Sequence, residues 1–233
     1  MLSIIIPTLN EEKLLSKLLA SIKKQSFSDL EIIVADAGSR DRTVEIVNQY
    51  GAKVVPGGLP ARGRNEGAKA AQGKLLLFLD ADTEFEEDVF SDMLEEFFVR
   101  GLGVASFFLG LKKKNHQFGF NVAYNWPVRI FERILPHGAM GILVKREIFD
   151  TVGGFDETIK LAEDHHFVRE AAKLAKFGFF RSTKLIVSPR RFQIDGWIKT
   201  YLKFIAAELH MVFLGPIRTD IFKYRFDHYS KKQ

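Results

Sequence analysis

The first hundred residues alternate short apolar runs with segments in which apolar residues recur every three or four positions. The runs predict four β-strands at Leu2–Ile6, Glu31–Ala35, Lys53–Pro56 and Leu75–Leu79. The intervening segments predict helices, first one with Leu14, Leu15, Leu18, Leu19 and Ile22 on one stripe, then Thr43–Tyr50, Arg62–Ala71 and Val89–Phe98. Strands and helices that alternate in this way are typical of a parallel sheet covered by helices on both faces. We therefore predict an α/β fold, a three-layer α/β/α sandwich with a mainly parallel, Rossmann-like central sheet.

The second half of the chain is less regular. It predicts strands at Gly103–Phe108, Gly141–Lys145 and Leu185–Ser188, an aromatic, partly helical stretch at Asn115–Leu135, and helices at Glu163–Lys176 and Asp195–Leu214. No Gly/Pro/Ser-rich linker separates independent domains. We predict one catalytic domain, 1–192, with halves 1–100 and 101–192, followed by a C-terminal helical extension, 193–233.

Polar residues follow three of the predicted strands. They form the segments Pro7-Thr8-Leu9-Asn10, Asp36-Ala37-Gly38-Ser39 and Asp80-Ala81-Asp82. Ligands of parallel sheets bind beyond the carboxyl ends of the strands. The sequence therefore predicts a site built from these three segments.

Three acids lie close together in FLDADTE, where Asp80, Asp82 and Glu84 follow a buried strand. Side chains at alternate positions of a strand fall on the same side. Three carboxylates on one side make an oxygen-only site, which suits Mg²⁺ or Mn²⁺. The alternative is that one Asp caps the next helix and the other acids are solvated.

Two further segments favour contacts with a nucleotide. Asp36 can accept hydrogen bonds from a base N–H or from ribose hydroxyls, and Gly38 lets the turn approach a ligand closely, although Asp41 is better explained as a helix cap. Arg62, Arg64 and Lys69 cluster on a helix whose N-terminus favours phosphate, unless this is only a solvated basic face. The chain contains neither a P-loop nor a GxGxxG motif.

The segment Glu163-Asp164-His165-His166 predicts the start of a helix. Acids in a first turn are stabilised by the helix dipole alone, and the functional alternative is that one of them is a general base. Adjacent histidines on a helix cannot both face one site, so we expect no metal pair from His165 and His166. Arg190 and Arg191 follow a predicted strand and suit phosphate oxygens.

Composition narrows the class of protein. With 46% apolar residues and no cysteine, the chain can bury a large core but cannot form a disulfide, a thiolate zinc site or a cysteine nucleophile. It predicts no signal peptide and no run long enough to span a bilayer, so we expect a cytoplasmic location. The net charge of +5 favours anionic ligands but does not indicate nucleic acid, and we expect no nucleic-acid partner.

The segment DGWIKTYLKFIAAELHMVFLGP and the basic tail after it have two interpretations. The helix can lie on a membrane surface, which would make the protein peripheral at the inner face of the membrane. Alternatively it packs on the core or on a second copy in an oligomer. His210 is also a candidate metal ligand.

The order of these motifs resembles family 2 glycosyltransferases with the glycosyltransferase-A fold. The segments that carry the resemblance are SIIIPTLNEE, EIIVADAGSRDRT, ARGRNEGAKAAQGKLLLFLDADT, GILVKREIFDTVGGFDE and EDHHF, between residues 2 and 170. The resemblance implies a nucleotide-diphospho-sugar donor of UDP or GDP type, with residues 1–100 as the nucleotide-sugar half and 101–192 as the acceptor half. The residues expected around the donor are Pro7, Thr8, Asn10, Glu11, Asp36, Gly38, Arg62, Asn65, Asp80, Ala81, Arg190 and Arg191.

The resemblance also implies the chemistry. Asp80 and Asp82 would coordinate Mg²⁺ or Mn²⁺ at the donor diphosphate, and Asp164 would deprotonate an acceptor hydroxyl that displaces the leaving group with inversion. In similar enzymes that use a polyprenyl-phosphate acceptor, Glu84 would be a third metal ligand and Asp164 would only position the acceptor. The QxxRW motif of processive members is absent, so we do not expect a polymer synthase. A glycan, a small molecule and a lipid phosphate all remain open as acceptors.

Three other functions are alternatives to glycosyl transfer. A haloacid-dehalogenase-type phosphatase requires Thr or Val where Glu84 stands, and its motif belongs on the first strand. A sugar-nucleotide pyrophosphorylase requires a Gly-rich loop and a Lys after the first strand, which this chain lacks. An inactive nucleotide-sugar-binding protein would be expected to lack some of the acids that are present.

Overall fold

The computed structural model describes residues 1–112, 117–132, 134–138 and 140–222. Its strands are β1 Leu2–Thr8, β2 Leu30–Asp36, β3 Lys53–Pro56, β4 Leu75–Leu79, β5 Thr83–Glu84, β6 Val104–Leu111, β7 Gly141–Lys145 and β8 Phe177–Val187. Its α-helices are α1 Glu12–Lys23, α2 Thr43–Gln49, α3 Pro60–Ala70, α4 Phe90–Val99, α5 Gln117–Phe120, α6 Trp126–Phe131, α7 Arg146–Val152, α8 Glu163–Leu174, α9 Arg190–Asp195 and α10 Trp197–Phe213. A π-helical turn, Asn121–Asn125, joins α5 to α6. Part of the predicted aromatic stretch and the basic tail, 223–233, lie outside the described residues.

The eight strands form one sheet in the order β3-β2-β1-β4-β7-β6-β8-β5. The strands β3, β2, β1 and β4 are mutually parallel, and β6 is parallel to β8, as predicted. However, β7 is antiparallel to both of its neighbours, and β5 is antiparallel to β8. The prediction of a mainly parallel sheet is therefore confirmed only in part, because an apolar run does not encode the direction of its strand.

The two faces of the sheet bury separate cores, which gives the predicted three layers. On β1, Leu2, Ile4 and Ile6 pack in one cluster with the apolar stripe of α1. Ile5 faces the opposite side and packs in a second cluster that includes residues of α3, α7 and α8. This alternation follows from the period of two residues along a strand.

Strand β8 begins at Phe177, whereas the sequence predicted a strand only from Leu185. The sequence prediction failed because polar residues interrupt the apolar run in the middle of this strand. The backbone N–H groups of Arg181 and Ser182 donate to the Glu96 carboxylate, and the pairing with β6 shifts register there. The short elements β5 and α7 were not predicted.

Two loops that precede helices are tied together by Asp41. Its carboxylate accepts hydrogen bonds from the backbone N–H groups of Thr43 and Glu12, the first residues of α2 and α1. Burial alone would raise the pKa of Asp41, but these hydrogen bonds lower it on balance. Asp41 thus has a structural role, although Arg42, and not Asp41 as predicted, occupies the N-cap position of α2.

Helix α3 approaches β1 closely because it presents glycines to the strand. A Cβ on Gly63 would lie 2.9 Å from Cβ of Pro7, and one on Gly67 would lie 2.3 Å from Cγ2 of Ile5. Neither position leaves room for a side chain. The close approach holds α3 beneath the carboxyl end of β1, where the predicted site lies.

The C-terminal helix α10 is anchored by a small apolar cluster. Ala207 and Met211 pack with Ile217, which forms an isolated β-bridge with Leu161 just before α8. Within the described part of the chain, no helix is long and apolar enough to cross a membrane.

The packing of α3 predicts that Gly67→Ala lowers the free energy of unfolding. Overpacking costs about 1–3 kcal/mol and better helix propensity returns about 1 kcal/mol, so we expect a net loss of about 2 kcal/mol for this severe contact. Chemical denaturation followed by circular dichroism measures it. Gly119→Ala is the matched control, because Gly119 is exposed and a Cβ there meets nothing within 4 Å. A Gly67→Ala protein as stable as the wild type would contradict the packing argument.

Candidate functional site

A cavity of about 600 Å³ opens at the carboxyl ends of β1 and β4. Its walls come from these strand ends, from the first turns of α3, α8 and α9, and from one face of α10. The predicted site residues that line it are Pro7, Thr8, Glu11, Asp80, Ala81, Asp82, Asp164, Arg190 and Arg191. Segments far apart in the sequence therefore meet at the sheet edge that the strand-end rule indicated.

The buried Arg64 guanidinium joins two parts of the cavity wall. Nη2 donates to Oδ1 of Asp80 at 2.8 Å, and Nη1 donates to Oε1 of Glu163 at 2.5 Å. The guanidinium also stacks over the Phe155 ring, 5.2 Å from its centroid. Burial alone would lower the pKa of Arg64, but the neighbouring carboxylates raise it, so the group stays charged. The sequence predicted Arg64 as one of a basic cluster that favours phosphate or is merely solvated, since nothing in the sequence distinguishes it from the exposed Arg62.

Asp82 has two negatively charged neighbours, Asp80 and Glu11. Burial and the nearby Asp80 carboxylate raise its pKa to about 6, and Glu11 adds to this effect. The Arg191 and Arg190 guanidinium groups act in the opposite direction without cancelling it. A carboxylate whose charge is disfavoured in this way is a ligand whose charge a bound cation would stabilise.

Glu11 and Arg190 form a bidentate ion pair that links the end of β1 to the start of α9. Their oxygen–nitrogen distances are 3.0 Å and 2.5 Å, and both side chains are largely buried. Burial raises the pKa of Glu11, although Arg190 lowers it in part. Two residues predicted to contact the donor therefore contact each other.

Asp164 lines the cavity at the start of α8, immediately after Ala162 and Glu163. Ala162 adopts a left-handed backbone conformation with φ of 62°, which begins the helix. Glu163 is buried against Arg64, and Oδ1 of Asp164 accepts the backbone N–H of His165 at 2.8 Å. The two acids of the predicted pair thus have different surroundings.

His165 connects α8 to α10. Its Nδ1 lies 3.2 Å from Oε2 of Glu208, whose other oxygen is ion-paired with Arg169. Its Nε2 lies 3.8 Å from Oδ1 of Asp164. Burial would lower the pKa of His165, but the charges of Asp164 and Glu208 raise it on balance.

His165 also has an unpredicted histidine neighbour, His137. The two ring centroids are 3.8 Å apart, and burial holds the pKa of His137 well below its usual value. Among the described residues, His137, His165 and Glu208 form a group whose potential ligand atoms lie within 4.8 Å of one another. His166 does not line the cavity, which agrees with the expectation that adjacent histidines do not share a site. No local spacing in the sequence indicates the partnership with His137.

The loop after β2 is organised by Asp36. Its Oδ2 accepts the backbone N–H groups of Gly38 at 3.0 Å and of Ser39 at 2.9 Å. Asn10, with a φ of 53°, accepts the N–H of Arg40 through Oδ1 at 2.8 Å. The cavity lining includes Ala37, but it does not include Asp36 and Gly38 on either side of Ala37, or Asn10. Their assignment to the donor stays a prediction.

Arg62 and Asn65 also lie outside the cavity lining. The Arg62 side chain passes close to Gly58, where an added Cβ would meet Arg62 Cδ at 2.8 Å. The Asn65 amide donates to the carbonyl oxygen of Phe155 and accepts its N–H, both at 2.9 Å. These bonds give Asn65 a structural role, and a direct contact with the donor stays a prediction for both residues.

Glu84 does not line the cavity that Asp80 and Asp82 line. The chain turns after β4, where the N–H of Thr83 donates to the carbonyl of Asp80, so strand alternation does not continue through these acids. Glu84 lies on β5, is ion-paired with Lys112 at 2.5 Å and does not line the cavity. The turn interrupts the strand between Asp80 and Glu84, and a contact of Glu84 with the metal stays a prediction.

His210 lies away from the cavity lining as well. Its Nδ1 is 3.1 Å from the carbonyl oxygen of Gly215, at the C-terminal end of α10. Because a carbonyl only accepts, Nδ1 carries the proton in this contact. The structure gives His210 a role in ending the helix rather than a place in the cavity.

Comparison with known proteins places most of this chain in one family. The family described as "Glycosyl transferase family 2" matches residues 3–154. The poly(ribitol-phosphate) beta-N-acetylglucosaminyltransferase TarS of Staphylococcus aureus is 35% identical over 100 residues, 39% of this chain and 18% of TarS. A PGL/p-HBAD biosynthesis glycosyltransferase of Mycobacterium bovis is 29% identical over 177 residues, 72% of this chain and 68% of that protein. The chain thus matches less than a fifth of the TarS sequence.

Solved structures agree on the fold. The structure of S. aureus TarS 1-349 in complex with UDP-GlcNAc superposes with a TM-score of 0.64 at 25% identity, covering 90% of this chain and 66% of that one. The mannosyltransferase PcManGT from Pyrobaculum calidifontis superposes with a TM-score of 0.65 at 20% identity, covering 88% and 64%. These likenesses confirm the predicted glycosyltransferase-A fold. With its strand-end cavity and a family match over residues 3–154, the chain belongs to glycosyl transferase family 2.

Proposed function

We propose that the protein is a metal-dependent, inverting glycosyltransferase that takes a sugar from a nucleotide diphosphate of UDP or GDP type. The observation that carries the proposal is the meeting of Asp80, Asp82, Asp164, Arg190 and Arg191 in one cavity at the strand ends. Membership of the family supports the activity, and the complex of TarS with UDP-GlcNAc supports this class of donor.

The donor occupies the polar part of the cavity. The nucleoside lies along the Pro7–Glu11 segment and the loop that Asp36 organises, and the diphosphate lies toward Asp80 and Asp82. Arg190 and Arg191 at the start of α9 bind phosphate oxygens, for which a guanidinium fork is well suited. Residues 1–100 thus supply most of the donor half.

A divalent cation, Mg²⁺ or Mn²⁺, fits the residues present. Asp80 and Asp82 would hold it, and the raised pKa of Asp82, caused by burial and then by the nearby Asp80 carboxylate, supports the fit because a cation would stabilise the charged form. The acids offer only oxygen, the ligand that these cations prefer. When bound, the cation would neutralise the charge of the departing nucleoside diphosphate.

Asp164 acts on the acceptor. The acceptor hydroxyl gives its proton to the Asp164 carboxylate while its oxygen attacks C1 of the sugar. The bond from C1 to the phosphate oxygen breaks, and its electron pair leaves with the nucleoside diphosphate. Attack from the face opposite the leaving group inverts the configuration at C1. With a lipid-phosphate acceptor, already ionised at neutral pH, Asp164 would position the acceptor instead.

Arg64 is a positioning residue for Asp80 and, through Glu163, for Asp164. By pairing with Asp80 and Glu163 it fixes the first metal-binding acid relative to the first turn of α8, which carries Asp164. Its own guanidinium is buried between these partners.

A phosphatase of the haloacid-dehalogenase type is not favoured, because its nucleophile would follow the first strand whereas Asp80 follows β4.

Metal and nucleotide together should raise the melting temperature. At saturating UDP or GDP with Mn²⁺ we expect a stabilisation of about 2–3 kcal/mol, or a shift of about 5–10 °C, which EDTA reverses. Differential scanning fluorimetry measures the shift. Asp82→Asn should remove it, and Glu86→Gln, which changes an exposed acid of the same segment outside the cavity, should retain it. If a folded protein shows no shift in melting temperature with any nucleotide, the proposed donor site is wrong.

Asp164→Asn should separate donor binding from transfer. We expect the nucleotide-dependent shift to persist and the transfer rate to a hydroxyl acceptor to fall by about 10²–10⁴-fold, the usual contribution of a general base. Glu170→Gln serves as control, since Glu170 lies on the same helix outside the cavity. Product formation followed by mass spectrometry measures the rate, and full activity in Asp164→Asn would remove this residue as the base.

Arg64→Met should destabilise the protein strongly. Removing one partner of a buried ion pair leaves uncompensated carboxylates and costs about 3–5 kcal/mol. Arg62→Met, two residues earlier on the same helix and exposed, should leave the free energy of unfolding nearly unchanged. Urea denaturation of the two variants decides the matter. Equal stabilities would mean that Arg64 does not hold the acids in place.

A further inference from the structure

Helix α10 carries apolar side chains on two opposite faces. One face lines the cavity through Thr200, Lys203, Phe204, Ala207, Glu208 and Met211. The opposite face presents Ile198, Leu202, Ile205, Leu209 and Val212, which are between 48% and 78% exposed. These five positions are spaced four and three residues apart, so they form one continuous stripe along the helix. Surface helices of monomeric proteins normally bury such a stripe.

A second exposed apolar group lies on a segment between two residues that line the cavity. Trp126, Ile130, Phe131 and Ile134 are each at least half exposed. They lie between Tyr124 and His137, which both line the cavity. Exposed apolar residues thus occur on α10 and on a segment whose two flanking residues, like one face of α10, line the cavity.

The exposed charges on these helices have one sign. In α6 and α10 the exposed charged residues are Arg129 and Lys199, both cations. The one acid of α10, Glu208, is not exposed, because its carboxylate contacts Arg169 and His165. An exposed apolar stripe on a helix whose exposed charge is a cation, here Lys199, is typical of a helix that lies in the headgroup region of an anionic bilayer.

A second copy of the chain fits this stripe less well. Stable coiled coils need at least about three heptads, and the 17 residues of α10 supply about two and a half. A parallel pair of two copies of α10 would also bring Lys199 near its own counterpart, without an exposed acid on the helix to offset the repulsion. The charges therefore favour an anionic surface over self-association.

We propose that the outer stripe of α10, together with the exposed apolar residues of the 126–134 segment, docks the protein on an anionic lipid bilayer. In this arrangement α10 separates the bilayer from the cavity by one helix diameter, about 10 Å. The helix is tied to the first turns of α8 through Glu208 and His165, so docking holds the acceptor wall of the cavity against the membrane. The proposal goes beyond the glycosyl transfer itself and does not require it.

Co-sedimentation of the full chain with vesicles tests the proposal. We expect binding to phosphatidylcholine vesicles that contain phosphatidylglycerol, weaker binding to phosphatidylcholine alone, and at least about a tenfold loss of binding for the Ile205→Glu/Leu209→Glu variant. Neither residue lines the cavity, and both are exposed, so the variant should fold. Phe98→Glu/Val99→Glu, which changes two exposed apolar residues at the end of α4, is the matched control and should bind like the wild type.

Each other outcome decides against the proposal. A wild-type chain that stays in the supernatant with both vesicle types overturns it, and so does a control variant that loses as much binding as the α10 variant. A wild-type dimer by light scattering that the α10 variant dissociates, without vesicle binding, assigns the stripe to a second copy. Donor hydrolysis with water as acceptor is measured in parallel without vesicles, so failure of the docking surface and failure of the proposed function remain distinguishable.

Discussion

The buried guanidinium of Arg64 is the interaction on which the site depends. It lies between the carboxylates of Asp80 and Glu163, which come from distant parts of the chain and would repel each other without it. A buried charge of this kind needs all of its partners, because removing any one leaves another uncompensated. The glycine face of α3 follows from the same requirement, since only a close approach to β1 brings Arg64 under both acids.

The remainder of the cavity is completed by the C-terminal part of the chain. Glu208 of α10 reaches His165 of α8, and Ile217 pairs with Leu161 immediately before α8 begins. The segment that looks like an appendage in the sequence therefore supports the helix that carries Asp164. Separating the chain into a catalytic part, 1–192, and an extension, 193–233, remains a prediction, and these contacts show that the two parts share one wall.

The sequence predicted what depends on local pattern and on topology. Apolar periodicity located the strands of the first half, and the strand-end rule located Asp80 and Asp82 beside the Pro7–Glu11 segment. It could not predict which of two arginines on one helix is buried, because Arg62 and Arg64 differ only in what the sheet places next to them. For the same reason the sequence could not predict three other features, which only the structure shows. They are the direction of β7, the turn between Asp80 and Glu84, and the pairing of His137 with His165. Each depends on contacts between residues distant in the chain.

The ion pair between Glu11 and Arg190 has a further consequence for how a ligand enters. In the proposed donor site, a phosphate that binds Arg190 would compete with the Glu11 carboxylate, and a displaced Glu11 would be stabilised by a cation, since burial raises its pKa. A diphosphate that arrives with a divalent cation would supply both replacements, whereas a neutral sugar would supply neither. On this proposal the pair would act as an internal competitor that favours a complete donor.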